Sequence, residues 1–136
     1  MRDGMDIMLC KINASRNILQ YAAAMRSMYL IHENELAELK GDKNPIGGNT
    51  ETDFGFETFS AKLNTGNCLY LTTDGFADQF GGAEGKKFMS KNMKELFKLH
   101  QQKPMTEQLT VLKEQFKKWR GNYEQIDDVT VMGIRI

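Results

Sequence analysis

Two segments of the sequence place carboxylates where an apolar strand meets a loop. Asp74 and Gly75 follow the apolar run 68–72, and the glycine frees the backbone to turn sharply directly after the carboxylate. Asp127 and Asp128 stand directly before another apolar, strand-like run. Adjacent carboxylates repel each other, so this pair needs compensation by solvent, by a basic side chain or by a cation. A divalent metal ion would supply that compensation.

Carboxylate ligands favour Mg²⁺ or Mn²⁺, because these hard cations take oxygen ligands and retain bound waters. The chain has two histidines, His32 in a predicted turn and His100 on a predicted helix, which do not form a zinc pattern. Each acidic segment also has a simpler interpretation, since Asp-Gly is a common turn dipeptide and Asp-Asp can be a solvated strand entry. Taken one at a time, the two segments favour the simpler interpretation.

Other catalytic motifs are not supported. The sequence contains no G-x-S-x-G or Walker-type motif, and the glycine-rich stretch 81–85 lacks the Lys-Ser/Thr pair of a P-loop. Serine–histidine catalysis therefore has no basis in the motifs.

Charge and composition narrow the function classes further. The 136 residues carry 18 basic and 18 acidic side chains, so no overall charge attracts polyanions and a general nucleic-acid-binding role is disfavoured. Cys10 and Cys68 lie in apolar runs and are predicted to be reduced core residues. No segment reaches the roughly 18 apolar residues of a membrane-spanning helix, and the N-terminus resembles no secretory signal. A cytoplasmic location is therefore the default expectation.

The acidic segments must be positioned by a sheet. Short apolar or alternating runs predict strands at 5–12, 18–23, 28–31, 36–39, 54–63, 68–72 and 129–136. The runs 28–31 and 36–39 are expected to pair as a hairpin, and 41–52 is expected to be a surface loop. Alternation along 54–63 predicts one shared face for Glu57, Phe59, Ala61 and Leu63.

After residue 85 the spacing of apolar residues changes from two to three or four, which indicates helices. One helix is predicted around Met93, Leu96, Phe97 and His100. A second begins at Pro104, ends at Gly121 and carries an apolar stripe of Met105, Leu109, Leu112, Phe116 and Trp119. We therefore predict an α+β fold in which two amphipathic helices cover one face of mainly antiparallel sheet.

Four segments, taken in order, resemble the metal-dependent serine/threonine protein phosphatases of type 2C, in their bacterial SpoIIE-like branch. They are RDGMDI at 2–7, GDKNPIG at 41–47, TTDGFADQFGG at 72–82 and IDDVTV at 126–131. The resemblance spans nearly the whole chain and corresponds to the C-terminal half of the phosphatase domain. It implies part of the α-β-β-α sandwich of that family.

The resemblance also implies a centre of two Mn²⁺ or Mg²⁺ ions. Asp74 and Asp127 would be metal ligands, Gly75 would hold the turn, and Asp128 would support the site or bind an accessory metal. The metals would activate a water for direct attack on phosphoserine or phosphothreonine of a protein partner. The loop that borders this site would include Asp78 and Gln79.

The family's phosphatase domain begins with further elements that carry more metal-binding aspartates, whereas this sequence enters a strand at Met5. Asp3 and Asp6 are interpreted as structural residues. We therefore expect 1–136 to be a single domain that forms the C-terminal portion of a larger phosphatase domain. An upstream sensor region is expected in the full-length protein and could attach it to a membrane.

Three further expectations follow. Uncovered sheet edges tend to pair with another chain, so we expect the 136-residue chain to form homo-oligomers. Its incomplete ligand set predicts weak or no phosphatase activity. The implied substrate is a phosphoprotein, as in regulators of the anti-anti-sigma type.

Two other interpretations remain. The chain could be a non-catalytic regulatory or binding domain on the same fold, in which Asp74 and Asp127 are only turn and strand-cap residues. An accidental likeness on a generic α+β protein is the third, and the four ordered matches argue against it.

Overall fold

The computed structural model describes residues 3–136, and that range contains eleven strands and three helices. The strands are β1 (Gly4–Met5), β2 (Ile7–Asn13), β3 (Ile18–Ala24), β4 (Ser27–His32), β5 (Glu35–Lys40), β6 (Ile46–Gly47), β7 (Phe59–Lys62), β8 (Cys68–Thr72), β9 (Phe80–Gly81), β10 (Lys86–Lys87) and β11 (Val131–Arg135). The helices are α1 (Gly75–Asp78), α2 (Ser90–His100) and α3 (Met105–Arg120).

The architecture has three layers. A four-stranded sheet in the order β11-β8-β4-β5 forms the middle layer, and a three-stranded sheet in the order β2-β3-β7 packs on one of its faces. Helices α2 and α3 cover the opposite face. Neighbouring strands in both sheets are antiparallel. The predicted α+β class, with both helices on one face, is confirmed.

Alternating side chains of the central sheet fill both of these interfaces. Leu30 and Leu69 face the three-stranded sheet, whereas Tyr29 and Tyr70 point toward the helices. The predicted hairpin of β4 and β5 is also confirmed. Its turn at Glu33–Asn34 has φ angles of 47° and 68°, as a two-residue turn of this kind requires.

Phe97 anchors helix α2 on the central sheet. Its ring is buried and stacks on the ring of Tyr70, with 4.1 Å between the ring centroids and 5° between the planes. The predicted core side of α2 is confirmed, since Met93 is buried beside Phe97.

The apolar stripe of α3 is only partly confirmed. Phe116 and Trp119 pack against the core, but Leu109 is 51% exposed, so its predicted place in the core is wrong. The neighbouring Gln108 is buried instead, because it accepts a hydrogen bond of 2.6 Å from the Tyr70 hydroxyl and donates to the Lys103 carbonyl at 2.9 Å. Burial raises the pKa of the Tyr70 phenol, so Tyr70 acts here as a neutral donor.

Three of the strand predictions need correction. Within the run 54–63, only β7 pairs in a sheet, because only residues 18–21 of β3 are available as its partners. Glu57 lies outside β7 and is exposed. The run 5–12 is interrupted at Asp6, which was predicted to lie in a strand and instead separates β1 from β2. The predicted loop 41–52 contains β6, which pairs with β1.

Four further predictions concern the cysteines, membrane-spanning helices, the number of domains and self-association. Cys10 and Cys68 are free thiols, as predicted. Cys68 is buried in the core, whereas Cys10 is only partly buried at its edge. None of the helices within 3–136 is long and apolar enough to cross a bilayer. The expectations of a single domain and of self-association stay predictions.

Candidate active site

Asp74 lies at the junction between β8 and α1. Its backbone carbonyl accepts a hydrogen bond from the Asp78 N–H at 2.9 Å, which begins the single turn of α1. The Asp74 side chain is 54% exposed, while the next residue, Gly75, is buried. Strand β8 therefore presents a carboxylate to solvent at the edge of the central sheet.

The segment that carries Asp127 and Asp128 lies directly against this junction. The Thr73 hydroxyl donates a hydrogen bond to the Asp128 carbonyl at 3.1 Å and accepts one from the Thr130 N–H at 2.9 Å. A Cβ atom on Gly75 would lie 2.2 Å from the Asp128 carbonyl oxygen. Only a glycine permits this approach. The two acidic segments predicted from the sequence therefore meet at one edge, where Thr73 is hydrogen-bonded to Asp128 and Thr130.

The carboxylates themselves differ in their surroundings. Asp127 and Asp128 are exposed, and the Asp127 carboxylate accepts a hydrogen bond from the Asp128 N–H at 2.8 Å. Oxygen donors of this kind suit Mg²⁺ or Mn²⁺. Residues 3–136 nevertheless contain no group of three or more His, Cys, Asp or Glu side chains arranged to hold a metal ion. The edge thus presents exposed carboxylate oxygens whose chemistry suits a hard cation.

Arg26, directly before β4, joins the same edge. Met28 pairs with Leu71 across β4 and β8, so the antiparallel register brings Arg26, two residues earlier, alongside the end of β8. Its Nη1 atom lies 3.5 Å from Oδ2 of Asp74. The preceding residue, Met25, has a φ of 62°, and this left-handed residue lies where the chain passes from the three-stranded sheet to the central one.

Beside Asp74 lies a cavity of about 350 Å³, here called the Arg26 cavity. Its polar lining comes from β4, β8, α1, β10 and the start of α2 and consists of Arg26, Tyr29, Thr72, Thr73, Asp74, Asp78, Lys87 and Ser90. Lys87 contacts Asp78 at 3.1 Å. Burial, and secondarily the Glu38 carboxylate, raise the pKa of the Tyr29 phenol. The cavity is therefore lined by two cations, two carboxylates and several neutral hydroxyl groups.

Asp78 and Gln79, predicted to border the site, have distinct environments. Asp78 lines the Arg26 cavity. Gln79 is buried, and its Nε2 atom donates to the carbonyls of Phe80 and Glu124 at 2.8 and 2.9 Å. Gln79 therefore holds the loop after α1 against the chain before Asp127, and its amide does not face the cavity.

Known proteins resemble this chain along its length. The family model described as stage II sporulation protein E (SpoIIE) matches residues 3–136. The chain belongs to the SpoIIE family. No curated protein matches it.

Solved structures share the fold of this chain. The SiaA-PP2C domain of Pseudomonas aeruginosa is 31% identical, with a TM-score of 0.89 over 96% of this chain. The phosphatase domain of SpoIIE from Bacillus subtilis, presoaked with Mn, is 17% identical with a TM-score of 0.71, again over 96% of the chain. The RsbU and RsbW domains of Rv1364c from Mycobacterium tuberculosis give 19% identity, a TM-score of 0.68 and 96% coverage. The fold is that of a PP2C-type phosphatase domain.

The chain spans between about a third and about half of the length of these relatives. It covers 51% of the SiaA-PP2C chain, 56% of the SpoIIE chain and 35% of the Rv1364c chain. The predicted resemblance to part of a type 2C phosphatase domain is thus confirmed.

The sequence motifs did not reveal Arg26 and Lys87. Arg26 is the one basic residue between the apolar stretches 21–25 and 28–31, and that isolation was the only available signal. Lys87 belongs to a Lys-Lys pair that is typical of a solvated turn. Their position beside Asp74 depends on the sheet register and on the β9–β10 hairpin.

Proposed function

We propose that this chain forms part of a metal-dependent protein phosphatase domain, which hydrolyses phosphoserine or phosphothreonine on a protein partner through a metal-activated water. The observation that carries the proposal is the junction of Gly75 with the Asp128 carbonyl, which brings Asp74 next to the Asp127–Asp128 segment. That junction occurs in a SpoIIE-family chain. The antiparallel register of β8 and β11, in which Thr72 pairs with Val131, brings both acidic segments to the same edge of the central sheet.

In the proposed site, Asp74 and Asp127 bind Mn²⁺ or Mg²⁺, and Asp128 supports Asp127 or binds an accessory metal. When bound, such metals lower the pKa of a coordinated water and so supply a nucleophile. The roles of this chain's own residues are positional: Thr73 fixes the Asp128 carbonyl, Gly75 permits the close approach, and the Asp128 N–H orients the Asp127 carboxylate. The remaining ligands would come from other parts of a longer domain.

The proposed substrate is a phosphoprotein regulator of the anti-anti-sigma type, met in the cytoplasm. The chain carries 18 basic and 18 acidic residues. This balanced charge suits a partner recognised through local contacts rather than through a long-range electrostatic field. An upstream sensor region would control the activity.

Mn²⁺ titration by calorimetry tests the metal site. We expect Mn²⁺ to bind the chain, and Asp74→Asn and Asp127→Asn each to weaken binding at least tenfold, because each removes a charged oxygen donor while preserving the shape of the side chain. Asp53→Asn is the matched control, since Asp53 is an exposed carboxylate in a loop, and it should bind Mn²⁺ as the parent chain does.

Absence of Mn²⁺ binding would fit an incomplete ligand set as well as the non-catalytic alternative. If the parent chain and all three variants bind Mn²⁺ equally, Asp74 and Asp127 are not metal ligands. The acidic residues would then act only as turn and strand-cap residues, and the non-catalytic alternative on the same fold would be favoured.

Hydrolysis of p-nitrophenyl phosphate tests the completeness of the site. We expect the 136-residue chain with Mn²⁺ to show little or no hydrolysis, because two or three carboxylates cannot organise two metals and a bridging water. Robust Mn²⁺-dependent turnover that Asp74→Asn abolishes would contradict this expectation, although it would support the proposed reaction.

A further inference from the structure

We propose that the Arg26 cavity is a subsite for a phosphate monoester dianion, in which Arg26 and Lys87 bind the phosphoryl group of a phosphoserine or phosphothreonine side chain. This inference rests on the proposed function, since it identifies the part of the same edge that recognises the substrate. Neither Arg26 nor Lys87 belongs to a recognisable motif in the sequence.

The cavity has suitable size and position. A volume of about 350 Å³ is roughly ten times the 30 Å³ that a water molecule occupies in the liquid. It therefore has room for a phosphoryl group together with the side chain that carries it. Asp74 lies in its wall, so a bound phosphoryl group would lie beside the proposed metal ligands.

The two cations in the cavity are only weakly engaged. Arg26 Nη1 lies 3.5 Å from Asp74 Oδ2, which is longer than the 2.7–2.9 Å typical of charge-assisted hydrogen bonds. The Arg26 Nε atom is buried and has no hydrogen-bond partner within residues 3–136. The guanidinium is thus anchored at its buried Nε side, its Nη1 atom makes one long contact at the cavity, and its planar fork matches phosphate oxygens better than a single distant carboxylate does.

Lys87 can also exchange its partner at low cost. Its ion pair with Asp78 joins two half-exposed side chains, and exposed pairs of this kind contribute only about 0–1 kcal/mol. A phosphate monoester carries about −1.5 to −2 charges at neutral pH. It would therefore compete effectively with either carboxylate for these cations.

Neutral donors complete the lining. Thr72 and Ser90 both line the cavity, and their hydroxyl groups can donate to phosphate oxygens. Ser90 is also the first residue of the eleven-residue helix α2, whose first turn contains no acidic residue. Arg26 and Lys87 supply the positive charge, and these hydroxyl groups would add hydrogen bonds to an anion placed there.

NMR titration of the ¹⁵N-labelled 136-residue chain, without added metal, tests this subsite. Inorganic phosphate and a phosphoserine peptide should both shift the signals of Arg26, Lys87 and Ser90 saturably, whereas the unphosphorylated peptide should not. Arg26→Gln and Lys87→Gln should each weaken binding at least tenfold. Arg16→Gln and Lys62→Gln are controls, since both residues are exposed on or beside the three-stranded sheet, and they should leave the affinity unchanged.

Several results would overturn the subsite. These are an absence of saturable shifts at the cavity, equal binding by Arg26→Gln and Lys87→Gln and the parent chain, or binding of inorganic phosphate without binding of the phosphoserine peptide. If Arg26→Gln fails to fold, Lys87→Gln alone decides. Because no metal is present, phosphate binding together with failure of the Mn²⁺ titration would contradict only the metal site, and the reverse outcome would contradict only the subsite.

Discussion

Replacing Phe97 with alanine should lower the free energy of unfolding by about 3–5 kcal/mol, as for other buried aromatic truncations. Phe97 is 1% exposed and stacks on Tyr70 at 4.1 Å, so its removal leaves a cavity between α2 and the central sheet. Since small domains are stable by only about 5–15 kcal/mol, this one change should remove a large share of the stability. Urea denaturation followed by circular dichroism measures the loss.

Leu99→Ala is the matched control for Phe97→Ala. Leu99 lies on the same helix, two residues further along, and is 75% exposed, so its truncation removes little buried surface and should change the midpoint only slightly. Equal shifts for the two variants would mean that the stack of Phe97 on Tyr70 does not anchor α2.

The anchoring of α2 also bears on the candidate site. Met89 and Ser90, at the start of α2, line the Arg26 cavity, while Phe97 fixes the middle of the helix on β4 and β8 through Tyr29 and Tyr70. The position of the cavity wall thus depends on packing two turns away. Periodicity predicted this core face of α2 because Met93 and Phe97 are four residues apart and share one side of the helix.

Tertiary contacts explain where periodicity was wrong. On α3 the sequence favours Leu109 as a core residue, yet Gln108 is buried in its place. The Tyr70 hydroxyl and the carbonyls of Gln101 and Lys103 satisfy the Gln108 amide. A buried amide is tolerated when its hydrogen bonds are made, and no local pattern on α3 indicates that these partners exist. The length of β7 was likewise not predictable from the local pattern, because it depends on how much of β3 is available for pairing.

The candidate site likewise has a part that local sequence predicts and a part that only tertiary structure reveals. A strand end followed by Asp-Gly and a strand start preceded by Asp-Asp are visible in the sequence. The pairing of β8 with β11 brings those segments together, and Gly75 leaves room for the Asp128 carbonyl. Arg26 was not predictable in this way. Its place beside Asp74 follows from the pairing of Met28 with Leu71, and long-range register of this kind leaves no mark on the residues next to Arg26.

Gly75→Ala should separate the two acidic segments. The new methyl group would lie 2.2 Å from the Asp128 carbonyl oxygen and 2.9 Å from its carbonyl carbon, and backbone atoms cannot rotate away as a flexible side chain would. Overpacking of this kind costs typically about 1–3 kcal/mol. We therefore expect a lower thermal midpoint and, at a temperature where the variant remains folded, Mn²⁺ affinity reduced at least tenfold because Asp74 no longer lies next to Asp127.

Gly55→Ala is the control, since a Cβ atom at Gly55 meets nothing within 4 Å, and it should retain both the midpoint and the Mn²⁺ affinity of the parent chain. Measuring both the thermal midpoint and the Mn²⁺ affinity distinguishes an effect on stability from an effect on the geometry of the site. A Gly75→Ala variant that melts earlier but binds Mn²⁺ normally would show that the junction only stabilises the sheet edge. Loss of Mn²⁺ binding in a folded Gly75→Ala variant would instead show that the proposed metal site depends on one close contact, the approach of the Asp128 carbonyl to Gly75 that only a residue without a side chain permits.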